Sequence, residues 1–145
     1  MKKFVLSLLV SLCFILVSQA QTKHTIGEKF NGGIVFDISA NGLHGLIAET
    51  KDQGMCQWSE APKLIANPQN HSEDGKAFTD WRLPTKDELN KLYLKKDLVG
   101  GFINSFYWSS TGSGEDGLWI QYFVNGQQGI NGNITKLYVR AVRTF

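Results

Sequence analysis

Side chains that could hold a ligand gather in the last third of the chain, where several amides follow an aromatic ring. Amides suit sugar hydroxyls because each one offers donors and an acceptor, and an indole ring adds a flat apolar surface. This pattern predicts a carbohydrate site, for which the candidate residues are Trp119, Asn125, Gln127, Gln128 and Asn131. The alternative is that the amides belong to solvated turns and that Trp119 is a core residue.

Adjacent acidic residues in two polar segments are weaker candidates for calcium binding. Glu73 with Asp74, and Glu115 with Asp116, could each supply the oxygen ligands that calcium prefers. Such pairs are more often solvated turns, so we expect no metal and no other cofactor.

Catalytic patterns are weak in this sequence. The histidines have no metal-ligand spacing with one another or with Cys56; they are His24, His44 and His71. A glycosidase would need two carboxylates facing each other across a cleft, and no pattern points to such a pair. We therefore expect a protein that is not an enzyme, and a glycan-active hydrolase is the least favoured alternative.

The N-terminal segment predicts export. Lys2 and Lys3 precede an apolar run over residues 4–17, and Ser18 and Ala20 have the spacing and small size that signal peptidase requires. The run is shorter than the roughly 20 residues of a membrane-spanning helix, which is the alternative interpretation. We predict a cleaved signal peptide, residues 1–20, and a mature domain, residues 21–145, that is secreted, surface-bound or periplasmic and has no membrane span.

Removal of the signal peptide changes the charge of the chain. The full chain has 15 Lys+Arg and 13 Asp+Glu, and loss of Lys2 and Lys3 leaves 13 of each. Nucleic acid is therefore an unfavourable partner, because phosphate contacts need a clustered positive surface.

Removal of the signal peptide also changes the cysteine count. Cys13 is lost, so Cys56 is the one remaining cysteine and can form no internal disulfide. Free cysteine is among the most buried residue types, and we expect Cys56 to be buried beside Trp58. The alternative is a reactive thiol or an intermolecular disulfide.

The most clearly marked structural element is a helix within residues 80–93. Thr85 and Glu88 have the spacing of a capping box, and Pro84 keeps the helix from starting earlier. The apolar stripe of this helix consists of Leu89, Leu92 and Tyr93.

Strands are predicted on both sides of this helix. A hairpin covers residues 34–48, with its turn at Asn41-Gly42. It is followed by a short strand at 55–58, a helix at 59–66 that is capped by Ser59, and a polar surface loop at 67–79. An irregular helix lies within residues 98–106, and further strands cover 106–110, 118–124 and 137–142. This order predicts a single compact α+β domain, with one antiparallel sheet, one or two short helices on one side of it, and long polar loops.

Four motifs in this order resemble one bacterial family. They are GGIVFDISANGLHGLIA at 32–48, DWRLPTKDELNKLY at 80–93, YWSST at 107–111 and YVRAVR at 138–143, and they are similar to the DUF1566 (Lcl_C-like) family, the C-terminal domain of the Legionella collagen-like protein. The resemblance implies a C-type-lectin-like fold whose first and last strands pair. It also implies an exported binding or adhesion module, since the best-known member attaches to sulfated glycosaminoglycans.

The remaining motif residues favour a structural role. Large rings bury much area, so we expect Trp81 and Trp108 in the core, with ligand stacking as the alternative. Arg82, Arg140 and Arg143 are expected to pair with carboxylates or carbonyl oxygens, unless one of them holds an anionic ligand. Together with Pro84, Thr85 and Glu88 they form the predicted structural motif.

Two functional hypotheses follow from these observations. The first is a module that recognises glycans or cell-surface polymers through its polar loops. The second is a structural or assembly domain that binds another exported protein and no small ligand. Exposed aromatic rings beside amides would favour the first hypothesis.

Overall fold

A computed structural model describes residues 21–114 and 116–145 of the chain. The predicted signal peptide, residues 1–20, and the calcium candidate Glu115 lie outside the described residues. The described chain has an α+β fold, as the sequence predicted, with two sheets and a few short helices. The strands are β1 Lys29–Phe30, β2 Gly33–Ile38, β3 Gly45–Ala48, β4 Gly54–Cys56, β5 Phe106–Gly112, β6 Gly117–Tyr122, β7 Gln128–Gly132, β8 Leu137–Val139 and β9 Val142–Thr144, and the α-helices are α1 Ala61–Ala66, α2 Lys86–Leu94 and α3 Lys96–Val99.

The first sheet has the strand order β1-β2-β3-β9. The predicted hairpin is β2 and β3, which pair antiparallel. Its turn is stabilised by Asn41, whose Oδ1 accepts bonds from the Ser39 hydroxyl and the Leu43 N–H, and by Gly42, whose φ of +73° suits glycine. β1 and β9 share this sheet but are separated by β2 and β3, so the direct pairing of first and last strands that the resemblance implied is not found.

The second sheet has the order β4-β8-β5-β6-β7, with β5 and β8 parallel and the other pairs antiparallel. The prediction of one closing strand over residues 137–142 is wrong. The chain forms β8 in this sheet and then crosses to β9 in the first sheet, with Arg140 and Ala141 between them. Arg140 lies at the break, and its buried side chain donates to the Asp52 carboxylate and to the carbonyl oxygens of Glu49 and Gly100.

The helix α2 has the predicted start. The Thr85 hydroxyl accepts the Glu88 N–H at 3.2 Å, and the Glu88 carboxylate accepts the Thr85 N–H at 2.8 Å, which confirms the capping box. Leu89 and Leu92 are buried, at 1% and 0% exposure. Pro84 is buried before the helix, and its carbonyl accepts the Ser110 N–H of β5. The cap therefore joins the helix to the second sheet.

Two predicted features between β4 and α2 need correction. Ser59 does not cap a helix, because Trp58–Glu60 form a 3-10 turn whose Glu60 carboxylate accepts the Gln57 N–H, and α1 begins after it. The loop at 67–79 is polar, but it is anchored by buried His71 and Gly75 and contains two 3-10 turns. The helix expected within 98–106 lies earlier, because α3 ends at Gly100 with φ +75°.

The core consists of two clusters, and alternate residues of the same strands point into each. Val35 and Trp108 belong to the first cluster, whereas their neighbours Phe36 and Tyr107 belong to the second. α1 packs on the first cluster through Ile65, and α2 packs on the second through the leucines named above. The sequence predicted that the helices lie on one side of a single sheet. This prediction is wrong, because there are two sheets and the helices pack on different core clusters.

Candidate ligand-binding surface

The four tryptophans divide into three whose indole N–H is bonded to the backbone and one whose indole N–H is not. Trp58, Trp81 and Trp108 each donate the indole N–H to a backbone carbonyl at 2.9 Å, and Trp81 and Trp108 are buried as predicted. Trp119 is partly exposed, and none of residues 21–114 and 116–145 accepts a hydrogen bond from its indole N–H. No buried side-chain nitrogen or oxygen of the described residues lacks a partner, so this N–H reaches the surface.

Strand alternation places Trp119 on the face of β6 opposite the first core cluster, and Gln121 on the same face is buried against Asn90 of α2. Leu118 and Ile120 point into the first core cluster, and the residues between and beside them in β6 point to the opposite face of the sheet. On that face Trp119 pairs across the strands with Ile130 of β7, whose side chain is 57% exposed. The result is a partly exposed ring beside an exposed aliphatic side chain.

Lys86 completes this surface from the first position of α2. Its Nζ lies 3.3 Å from the centroid of the Trp119 ring, which is a cation–π contact worth about 0.5–1 kcal/mol at an exposed site. Its backbone is held as well, because its N–H donates to the Thr111 hydroxyl and its carbonyl accepts from the Gln128 amide, both at 2.9 Å. Within the described part of the chain, Lys86 forms no ion pair with a carboxylate.

The five ligand candidates do not form one site. Gln128 lies near Trp119, but its amide donates to Lys86 and Gln121 and holds the scaffold together. Asn131 pairs with Leu118, on the opposite face of the sheet from Trp119, and its Oδ1 accepts from Gly132 and Thr135.

Asn125 and Gln127 lie at the other end of the β6–β7 hairpin, where the Asn125 Oδ1 accepts the Gln127 N–H. They are both exposed, but about 10 Å of strand separates them from Trp119. The structure instead adds Lys86 and Ile130, which the sequence did not single out. Lys86 follows a helix cap like many exposed lysines, and nothing local indicated that a ring would lie beneath it.

Two of the acidic calcium candidates form ion pairs with lysines and do not converge on a common metal site. The Glu73 carboxylate lies 2.5 Å from Lys76 Nζ, and the Asp74 carboxylate lies 2.6 Å from Lys29 Nζ. Asp116 is exposed in a turn with φ +45°. In the described ranges no three His, Cys, Asp or Glu side chains are grouped so that they could hold a metal ion.

A buried imidazole–carboxylate pair is the feature that sequence reasoning missed. His71 Nδ1 lies 2.9 Å from Glu49 Oε2, and Nε2 lies 2.6 Å from the Ile65 carbonyl oxygen. A carbonyl can only accept, so Nε2 carries a proton. Glu49 also accepts the N–H groups of Thr50 and Ser72, and the His71 ring stacks on Trp81. Both side chains are almost completely buried, so the pair holds the loop and offers nothing to a ligand.

The three motif arginines each pair with a carboxylate. Arg82 forms two bonds to Glu88, at 2.7 and 2.8 Å, and Arg143 forms two to Asp80, at 2.7 and 3.0 Å. The hydrogen bonds from Arg143 lower the pKa of Asp80 below its usual value. These bidentate pairs leave the two guanidinium groups committed to the fold.

Arg140 is the most buried of the three, with no exposed surface. Its Nε donates to Asp52 at 2.8 Å, and its other nitrogens donate to the carbonyl oxygens of Glu49, Gly100 and Gly101. Burial raises the pKa of Asp52, although Arg140 and the Tyr107 hydroxyl act in the opposite direction. The side chain is inaccessible to an anionic ligand.

The family model for the Lcl C-terminal domain matches residues 31–143, which includes both core clusters, α2 and the Trp119 surface. The chain belongs to the Lcl C-terminal domain family. No match was found among curated proteins. The family assignment agrees with the resemblance that the four sequence motifs indicated.

Two further features of this Lcl C-terminal domain concern its helices and Cys56. In the described residues no helix has both the length and the apolar character needed to cross a bilayer. Cys56 is 4% exposed and unpaired, as predicted, and burial raises the pKa of its thiol to about 11. A thiol in that state is a poor nucleophile at neutral pH.

Proposed function

We propose that this Lcl C-terminal domain is an exported, non-catalytic binding module that recognises an acidic polysaccharide or similar cell-surface polymer at the Trp119–Lys86 surface. One observation carries the proposal: Trp119 is the tryptophan whose indole N–H has no acceptor among the described residues, and an ammonium group lies against its ring. The other three indoles are bonded inside the fold.

The chemistry of this surface favours an acidic ligand. An indole N–H and a lysine ammonium are both donors, and carboxylate or sulfate oxygens accept from both. The mature chain is predicted to be neutral overall and the arginines are paired with carboxylates, but Lys86 places a positive charge directly against the Trp119 ring. Ile130 adds apolar surface against which the carbon skeleton of a sugar can pack.

A glycan array with the mature protein, in the presence and absence of a chelator, tests this function. We expect binding to acidic glycans that a chelator does not change. Trp119→Ala and Lys86→Gln should each weaken binding at least tenfold. Lys86→Gln should leave the melting temperature nearly unchanged, because a cation–π contact near the surface contributes about 0.5–1 kcal/mol. Circular dichroism checks that Trp119→Ala, which also removes partly buried ring surface, remains folded. Lys95→Gln is the matched control, because it removes the same charge from another exposed lysine.

A second comparison decides between two surfaces. The double variant Asn125→Ala and Gln127→Ala alters the tip of the hairpin and leaves Trp119 in place. We expect it to bind like the parent. If it loses binding while Trp119→Ala retains it, recognition occurs at the tip and the proposed surface is wrong. If the parent binds no glycan, the assembly-domain hypothesis replaces this one.

A further inference from the structure

A pocket of about 520 Å³ lies where the segment before β1 meets the β2–β3 turn and the residue that follows β9. This volume is within the range of ordinary small-ligand sites. Its lining includes the rings of His24, Phe30 and Phe145 and polar side chains of the N-terminal segment. The pocket shares no residue with the Trp119–Lys86 surface, so the two regions can be tested separately.

His24 is the most constrained polar side chain of this pocket. Its side chain is 10% exposed, and its backbone N–H donates to the Gly42 carbonyl at 2.9 Å. The imidazole lies against Phe30, with ring centroids 3.9 Å apart, and makes an edge contact with Phe145 at 4.9 Å. Its Nδ1 lies 3.1 Å from Glu28 Oε1. These contacts fix the plane of the ring and the direction of both nitrogens.

The second nitrogen of this ring, Nε2, has no protein partner in the described ranges. None of residues 21–114 and 116–145 forms a hydrogen bond with it, and no buried side-chain nitrogen or oxygen of these residues lacks a partner, so Nε2 opens on the pocket. The Thr25 N–H and His24 hold the pKa of Glu28 below its usual value, so this carboxylate only accepts at neutral pH. Nδ1 therefore carries a proton, and in the neutral ring Nε2 is an acceptor. A polar atom in a side chain so largely buried needs a partner from outside the chain.

The groups beside Nε2 match the hydroxyls of a sugar. A hydroxyl donates to Nε2 when the ring is neutral and accepts from it when the ring is protonated, whereas an ammonium ion suits only the first state and a carboxylate only the second. The Asn31 amide and the Thr22 hydroxyl are exposed at the pocket, both donate and accept, and neither side chain is bonded to a described residue. Phe30 and Phe145 supply the apolar wall against which a sugar ring can pack.

We propose that this pocket binds one uncharged sugar residue of the pyranose class, with His24 Nε2 and the Asn31 amide bonded to its hydroxyls. Glu28 is a positioning residue, because its bond to Nδ1 turns Nε2 toward the ligand. The site is distinct from the Trp119–Lys86 surface in place and in ligand charge. It does not depend on the acidic-polymer binding proposed for that surface.

Nuclear magnetic resonance of the isotope-labelled mature domain tests the inference. The probes are the methyl pyranosides of glucose, galactose and mannose, with sodium acetate and methylammonium chloride as charged comparisons. We expect saturable shifts of the His24 ring nitrogens and the Asn31 side-chain amide with at least one sugar, and none with the charged comparisons. Saturation by acetate or methylammonium in place of the sugars, saturable sugar shifts at the Trp119 indole N–H only, or saturation by no probe would each overturn the proposal.

Two variants remove the two polar groups separately. His24→Phe keeps a flat ring between Phe30 and Phe145 and removes both nitrogens. Asn31→Gly removes an exposed amide and suits the backbone there, whose φ is +42°. Each should weaken binding of the saturating sugar at least tenfold. Asn104→Gly is the matched control, because it removes an exposed amide outside the pocket and should bind like the parent.

A comparison with the other surface keeps the two proposals apart. Trp119→Ala should bind the neutral sugar like the parent, and His24→Phe should keep the acidic-glycan binding of the parent. Circular dichroism checks that each variant is folded. If either folded pocket variant, His24→Phe or Asn31→Gly, binds the sugar as tightly as the parent does, the assignment of this site is wrong.

Discussion

Replacement of Asp52 by asparagine tests the buried ion pair at the crossing from β8 to β9. The carboxylate is 11% exposed and accepts from Arg140 Nε and from the Tyr107 hydroxyl, both at 2.8 Å. Asparagine has nearly the same size, so Asp52→Asn leaves no cavity; it removes the charge and replaces one of the two acceptor oxygens by an NH2 donor. Arg140 then keeps its carbonyl contacts and its position over the Phe102 ring, but it is fully buried without a counter-ion.

The size of the effect follows from this geometry. Breaking a buried ion pair by removing one partner costs about 3–5 kcal/mol. The carbonyl oxygens around the guanidinium offset part of the loss, so we expect a value near the lower end, about 3 kcal/mol. In a domain of this size that corresponds to a fall in melting temperature of about 12 °C.

Thermal and urea unfolding, followed by circular dichroism, measure this loss. The matched control is Asp74→Asn, which removes the same charge from an ion pair whose partners, Asp74 and Lys29, are 57% and 68% exposed. Exposed pairs contribute little, so the control should melt almost like the parent. If the two variants lose the same stability, the Asp52–Arg140 pair does not hold the crossing between the sheets and the reasoning fails.

Two further predictions concern the core. Trp81→Ala should lower the free energy of unfolding by about 3–5 kcal/mol, because it empties a buried site and removes the indole bond to Gly75; an unchanged urea midpoint would contradict it. Cys56 should react with thiol reagents far more slowly in the native protein than in urea, because burial keeps the thiol protonated. Rapid labelling of the native protein, or a dimer that reductant converts to monomer, would count against burial.

Features that depend on neighbours in the sequence were predictable. The α2 cap needs two residues three positions apart, and the β2–β3 turn needs two adjacent residues, so local chemistry was sufficient for both. Strand alternation also predicts that Trp119 lies on the opposite face of β6 from Leu118 and Ile120, although it does not predict how much of the ring is exposed.

Features that join distant residues were not predictable from one sequence. Arg140 and Asp52 are 88 positions apart, and His71 and Glu49 are 22 apart, so no spacing rule relates them. The closing segment illustrates the consequence, because its alternation is consistent with one strand and the break becomes evident only when the partners of Arg140 are known. The burial of His71 was not predictable for the same reason. The residues next to it in the 67–79 loop are polar and indicate exposure, and its carboxylate partner, Glu49, is distant in the sequence.

The first turn of α2 contributes Lys86 to the candidate binding surface. The cap that starts this turn was predictable from the sequence, whereas the contact between Lys86 and Trp119 was not. The first turn of a helix has backbone N–H groups with no partner inside the helix. Here the Lys86 N–H finds the Thr111 hydroxyl of β5, and the Lys86 carbonyl receives the Gln128 amide of β7. These bonds fix the backbone of Lys86 between two strands, and its side chain then lies against the Trp119 ring on the strand between them. Because the scaffold bonds fix the backbone of Lys86 and the strand fixes Trp119, a ligand at this surface need order only side chains and not the backbone.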